Sequence, residues 1–195
     1  MRSSFKLEND TPDSSKEERF IKLLQRAGEQ KFISEDWLVE LQNAVVRDVY
    51  AQEARYRTKQ NWLEDASGRI TYFPPPVDDL RVLMKGWEAF VNDQQKQIDP
   101  LVKTVCAAFG FVYLHPFFDG NGRLHRFVIH QLLARSGLIP QDIVIPISAV
   151  IMKKIPDYLA VLTGFSKPTS ALWKYVRTKA DPYIKASPGI NPYRY

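Results

Sequence analysis

The chain has 195 residues, of which 45% are hydrophobic and 25% charged. That composition excludes a disordered chain and suits one domain with a sizeable core. No apolar run approaches the roughly 20 residues of a membrane span, and no signal peptide opens the chain. The single cysteine, Cys106, excludes a disulfide scaffold and a Cys-based zinc site, and points to a reducing cytoplasm. Net charge is +5, unevenly distributed: residues 1–99 carry 15 Lys and Arg against 18 Asp and Glu, and residues 100–195 carry 12 against 4. An anionic partner is therefore drawn to the second half.

The pattern is helical nearly throughout. Ser14 and Glu17 form a capping box before Phe20, Leu23, Leu24 and Ala27, and Gly28 ends that run. A second helix starts near Ser34 with Leu38, Leu41, Val45 and Val49 on one face. A third starts at Asp78 or Asp79 and buries Leu80, Leu83, Met84, Trp87 and Val91. The fourth has Asp99 as cap and Pro100 at its first position. Leu101, Val102, Val105, Ala108, Phe109 and Val112 are its expected buried face.

A fifth helix is expected from about Gly122 to Ser136, then one capped by Ser148 and broken at Pro156, with a further turn or two to Gly164. A last helix is expected over about 170–180. Residues 58–77 read differently. Ser67-Gly68 marks a turn, Ile70, Tyr72 and Phe73 favour strand, and Pro74-Pro75-Pro76 ends it. The expected fold is all-α, a helical bundle with one small β-hairpin.

All three histidines lie in 115–130, and the chemistry concentrates at His115-Pro116-Phe117-Phe118-Asp119-Gly120-Asn121-Gly122-Arg123-Leu124-His125-Arg126. Gly120-Asn121-Gly122 precedes a helix. Glycines let successive N–H groups converge, and the helix N-terminus adds unpaired donors and partial positive charge. Together these suit phosphate, although a glycine pair alone is usually only a turn.

Arg123 and Arg126 oppose the helix dipole, a conflict that a polyphosphate would remove; pairing with carboxylates elsewhere is the plain alternative. Beside phosphate, Asp119 calls for a bridging cation such as Mg²⁺; a turn or cap role is its alternative. An imidazole titrates near neutral pH, so His115 can take a proton from a hydroxyl; a single His before Pro is on its own usually structural. His125 and His130 match no usual zinc spacing and are read as packing or surface residues.

The segment closely resembles the signature of the Fic family, His-Pro-Phe-x-Asp/Glu-Gly-Asn-Gly-Arg-x-x-Arg, with Phe118, Leu124 and His125 in the variable slots. The order of hairpin, Pro run and flanking helices extends the resemblance over roughly 1–180. It implies a Fic-like bundle whose hairpin, at about 60–76, is a flap. It also implies a protein adenylyltransferase that moves AMP from ATP to a Ser, Thr or Tyr hydroxyl of a target protein, or of the protein itself.

Carried over by position, His115 is the base and Asp119 holds Mg²⁺. Gly120, Asn121 and Gly122 form the anion hole, with Asn121 near the α-phosphate and a catalytic role for it and Arg123. Arg123 contacts the β-phosphate, Arg126 pairs with the γ-phosphate, and Phe117 points into the core. The flap residues Arg69, Ile70, Thr71 and Tyr72 dock the target as an added strand.

Ser4-Phe5-Lys6-Leu7-Glu8-Asn9 resembles the family's inhibitory signature, Ser/Thr-x-x-x-Glu-Gly/Asn. Ser4, Glu8 and Asn9 are its inhibitory residues, and Glu8 pairs with Arg126 to exclude the γ-phosphate. The resemblance divides the chain into an inhibitory segment at 1–12, a core over 13–180 and a tail over 181–195 consistent with truncation from a longer protein. Fic proteins often form homodimers. Removal of AMP from a modified protein, use of another nucleotide or group, and a non-catalytic nucleotide- or protein-binding module are the alternatives. Neither a membrane nor a nucleic-acid partner is expected, since no helix-turn-helix, zinc-finger or RNA-binding signature is present.

Overall fold

A computed structural model describes residues 22–23, 32–46, 49–94, 97–140, 143–171, 173–177 and 184–188. Helix α1 spans Glu35–Val45, α2 Val77–Asn92, α3 Pro100–Leu114, α4 Asn121–Arg135, α5 Ile147–Lys153 and α6 Ile155–Ser170. Strands β1 (Leu63–Glu64) and β2 (Ile70–Tyr72) pair antiparallel between α1 and α2. The expected all-α bundle with a small hairpin is the fold observed.

Local chemistry sets these boundaries. Ser34 caps α1 by accepting from the Trp37 N–H at 3.3 Å. Asp99 caps α3 through the N–H groups of Leu101 and Val102, and Pro100 occupies its first turn. In the hairpin, Asp65 Oδ1 accepts from the N–H groups of Ser67 and Arg69 at 2.9 and 3.1 Å. Gly68, at φ +76°, takes the left-handed position that the turn requires.

Helices α3 and α4, joined by a six-residue turn, form the centre. α2 packs on α3, α1 on α4, and α6 on α3. Phe111, Phe117, Phe127, Leu38, Leu80, Met84 and Leu124 are fully enclosed. Trp87 fixes α2 against α3: its Nε1–H donates to the Ala107 carbonyl at 2.8 Å and its ring lies 5.3 Å from that of Phe111. The Asn92 amide brackets Ile33, accepting from its N–H at 2.9 Å and donating to its carbonyl at 2.7 Å.

Several sequence expectations are corrected. α3 buries Thr104, Ala107, Ala108, Phe111 and Leu114, while Leu101, Val102 and Val105 are exposed. The helix is apolar nearly all round, so periodicity does not select a face. α5 is capped at Pro146, not Ser148, and α6 continues past Gly164 through Pro168 to Ser170. Instead of a last helix over 170–180, strand β3 (Trp173–Arg177) pairs antiparallel with β4 (Ile184–Pro188). Trp173, Tyr175, Val176 and Ile184 are strand formers, and their preference prevails over the helical reading.

The expected helix at 14–27, apart from residues 22–23, and the inhibitory segment at 4–9 lie outside the described residues. Among the described residues, no helix is long and apolar enough to cross a membrane.

Packing makes two glycine positions respond oppositely. A Cβ at Gly110 would sit 3.1 Å from Trp87 Cδ1, so Gly110→Val should destabilise by about 1–3 kcal/mol. A Cβ at Gly86, inside α2, meets nothing within 4 Å. Gly86→Ala should therefore stabilise by about 0.5–1 kcal/mol. Urea midpoints of the two variants test this, and a shift in the same direction for both would contradict the packing.

Candidate active site

Leu114 ends α3 because the residue before Pro116 is disfavoured in the right-handed helical region. His115 takes φ 50° and ψ 59°, the left-handed C-cap conformation. It is the one non-glycine residue at positive φ among the described residues. Such a conformation persists only where the surroundings over-determine it.

Here they do. The Arg57 guanidinium donates from Nε to the His115 carbonyl at 3.0 Å, and the Arg57 backbone N–H donates to the Pro116 carbonyl at 2.8 Å. The Asn121 amide accepts from the Phe117 N–H at 3.0 Å and donates to the Phe117 carbonyl at 2.7 Å. Asn61 donates to that same carbonyl at 2.9 Å. Glu53 accepts from the Phe118 N–H at 2.7 Å. Gln42, fully buried, donates to the Asp119 carbonyl at 3.3 Å and to the Ala51 carbonyl at 2.8 Å. The Phe117 side chain is fully buried against the Tyr56 ring at 5.6 Å, pointing into the core as expected.

Gly120 follows at φ +88° as the N-cap of α4, with no side-chain cap. A Cβ there would meet Val46 Cγ1 at 3.3 Å, and any side chain would be strained at that φ. The first-turn N–H groups of α4 have no acceptor within the helix, and the dipole makes that end positive. Arg123 and Arg126 are both buried there. Arg123 donates to the Val45 carbonyl at 2.9 Å and to both Asp119 oxygens at 3.1 Å. Asp119 also accepts from the Gly120 N–H at 2.6 Å, and its side chain stays 47% exposed.

His115, Asp119, Gly120, Asn121, Gly122, Arg123 and Arg126 thus meet in one turn and the first coils of one helix. Two placements differ from the sequence reading. The Asn121 side chain faces inward and is spent on Phe117, so it shapes the turn rather than facing a ligand. His115 does not titrate near neutral pH. Burial, with a smaller push from Arg57, lowers it to about 4. The ring is therefore neutral at pH 7. With Nδ1 placed 3.3 Å from the Val112 carbonyl, the N–H belongs on Nδ1 and Nε2 is left as the proton acceptor.

Of the remaining histidines, His130 sets Nδ1 against the Arg126 carbonyl and Nε2 against the Ile145 carbonyl, each at 2.9 Å. His125 is buried with its ring 6.3 Å from that of Tyr158. Burial, then the Arg126 charge, depresses it to about 3.

The hairpin stands beside this turn. The Tyr72 hydroxyl donates to the Tyr113 carbonyl, two residues before His115. A groove of about 250 Å³ is bounded by Ile70–Phe73 on one side and by Thr163, Ser166 and Lys167 of α6 on the other. No β1 residue lines it, so it follows the edge of β2 away from its partner. α6 is held there by Phe165, whose ring meets Phe109 and Tyr113 at 5.3 and 5.2 Å. Of the expected docking residues, Ile70, Thr71 and Tyr72 border the groove, whereas Arg69 is paired with Asp65 at 3.0 Å.

Sequence reading missed Gln42, Glu53, Arg57 and Asn61. Only Gln42 carries a signal: it interrupts the apolar stripe of Leu38, Leu41 and Val45, and a buried amide needs partners.

A model of the Fic/DOC family matches residues 32–133, more than half of the chain, including the hairpin and the turn at 115–120. The chain belongs to the Fic/DOC family. It is 37% identical over 76 residues to a "Protein adenylyltransferase Fic" of Drosophila mojavensis, covering 38% of this chain and 15% of that protein. It is 30% identical over 110 residues to the protein of the same name from Nematostella vectensis, covering 55% of this chain and 24% of that one. The chain thus spans a quarter or less of the length of these Fic relatives. A Fic family protein of Desulfovibrio desulfuricans superposes with a TM-score of 0.68 over 86% of this chain and 56% of its own, at 20% identity. That likeness confirms the Fic fold.

The two depressed histidines make stability acid-sensitive. Their folded-state values, about 4 and about 3, lie below the ordinary 6.5. The unfolded chain therefore binds more protons below pH 6.5, and stability falls as pH drops toward 4. Urea midpoints should decline from pH 7 to pH 5, and His125→Phe should narrow that decline. An unchanged decline in His125→Phe would contradict the assignment for that ring.

Proposed function

We propose that this protein transfers AMP from ATP to a Ser, Thr or Tyr hydroxyl of a protein. The observation that carries the reading is the turn at 115–120. It sets a neutral imidazole beside a cationic helix N-terminus, within a segment matching the Fic signature at every constrained position. The names of the Fic relatives support it.

The chemistry follows from the residues. Nε2 of His115 takes the hydroxyl proton as the acceptor oxygen bonds to the α-phosphorus. The bond from that phosphorus to the bridging oxygen breaks, and pyrophosphate leaves. The first-turn N–H groups at 121–123 and the guanidinium of Arg123 balance charge on the phosphates, with Arg126 toward the γ-phosphate. Gly120, at φ +88°, bends the backbone into that helix start.

Mg²⁺ fits one feature of the site. Asp119 presents a half-exposed carboxylate, and Mg²⁺ commonly takes one or two carboxylates with phosphate oxygens. Among the described residues no cluster of three His, Cys, Asp or Glu could hold a metal alone, which suits an ion arriving with the nucleotide. Bound there, the ion would neutralise charge on the phosphates.

The groove along β2 would seat the target chain as an added strand, beside the Tyr113 carbonyl that holds the flap. Glu8 would restrain the enzyme by pairing with Arg126.

Incubation with α-labelled ATP and Mg²⁺ tests the reading. The unaltered protein should label itself weakly, Glu8→Gly strongly, and His115→Ala at a rate lower by about 10²–10⁴-fold. Labelling from γ-labelled but not α-labelled ATP would replace the reading with phosphoryl transfer. Equal labelling of the unaltered protein and Glu8→Gly would remove the inhibitory role alone.

A further inference from the structure

Arg57 is only 3% exposed and belongs to neither helix nor strand. Its fork reaches three stretches of chain at once. Nε donates to the His115 carbonyl at 3.0 Å, Nη1 to the Lys59 carbonyl at 3.3 Å and Nη2 to the Pro75 carbonyl at 2.5 Å. Lys59 lies on the segment leading into the hairpin and Pro75 on the segment leading out of it. His115 opens the catalytic turn. Two neighbours complete the frame. Gln60 donates to the Asn61 and Pro74 carbonyls at 3.0 and 3.1 Å, closing the base of the hairpin. Asn61 then ties that base to Phe117.

We propose that Arg57 is a positioning residue that couples the flap to His115, so that the surface docking the target and the base accepting its proton move as one body. This rests on the transferase reading given above.

The chemistry of the side chain makes the role specific. Only a planar guanidinium presents donors in fixed, divergent directions. A lysine ammonium keeps the charge but cannot hold three carbonyls in a fixed geometry. The carbonyl it releases would be buried and unpaired, a costly state that the turn or the hairpin would relieve by moving. Holding His115 at a left-handed φ needs such a restraint on the carbonyl side, and Arg57 supplies it. A shift of about 1 Å at a reacting group is enough to lower a rate about 100-fold.

Arg57→Lys tests this by two independent readouts. By amide hydrogen exchange, protection should fall together in the hairpin (Glu64–Tyr72) and at Phe117 and Phe118, with Met84–Val91 of α2 unchanged. Loosening of the hairpin without the turn, or of the turn without the hairpin, would overturn the coupling. In self-labelling at saturating ATP, the rate should fall at least tenfold while the half-saturating ATP concentration stays within twofold. An unchanged rate, or equal losses in rate and ATP affinity, would overturn the positioning role.

If Arg57→Lys does not fold, Gln60→Ala perturbs the same frame from the hairpin side with Arg57 intact. It should again raise exchange at Phe117 and Phe118, and unchanged exchange there would overturn the coupling. Absence of self-labelling in the unaltered protein would remove the transferase reading, whereas the exchange result would still decide the coupling.

Discussion

Everything in this site depends on a six-residue turn with its backbone tied down. Between α3 and α4 the chain must reverse, place a histidine at left-handed φ, and open a helix with glycine at its cap. The left-handed histidine is unfavourable by itself. The turn holds because most of its backbone polar groups from His115 to Gly120 have a named partner, supplied by Phe111, Arg57, Asn121, Asn61, Glu53, Gln42 and Asp119. A site built this way meets its ligand already formed, which reduces the ordering cost of binding and reaction.

Burial then sets the electrostatics. Enclosure keeps the His115 ring neutral at physiological pH, so the ring is a proton acceptor without a separate deprotonation. The same enclosure raises Glu53, whose carboxylate is partly desolvated behind Phe118. Two arginines at the positive end of α4 are unfavourable for stability alone. Asp119 offsets one of them, and its carboxylate stays half-exposed.

Much of this was legible in the sequence because it is local. Ser34, the Asp99-Pro100 pair and Ser67-Gly68 each act on their own few residues, and the signature at 115–126 is contiguous. What was not legible depends on packing between distant segments. α3 is apolar on most sides, so its buried face is chosen by Trp87 and its neighbours on α2. The strand preference of Trp173–Arg177 was hidden behind a plausible helical run. The Fic resemblance implies a phosphate contact for Asn121, yet its amide turns to Phe117, and only the folded turn reveals this. Arg57 stands 58 positions from His115, and no spacing rule links them.

Tied at this many points, the turn is ordered without any ligand. Backbone ¹⁵N order parameters at 117–120 in the ligand-free protein test it most directly. Values near those of the α2 core, about 0.85, are expected, and values below about 0.6 would show a turn that orders only around its ligand.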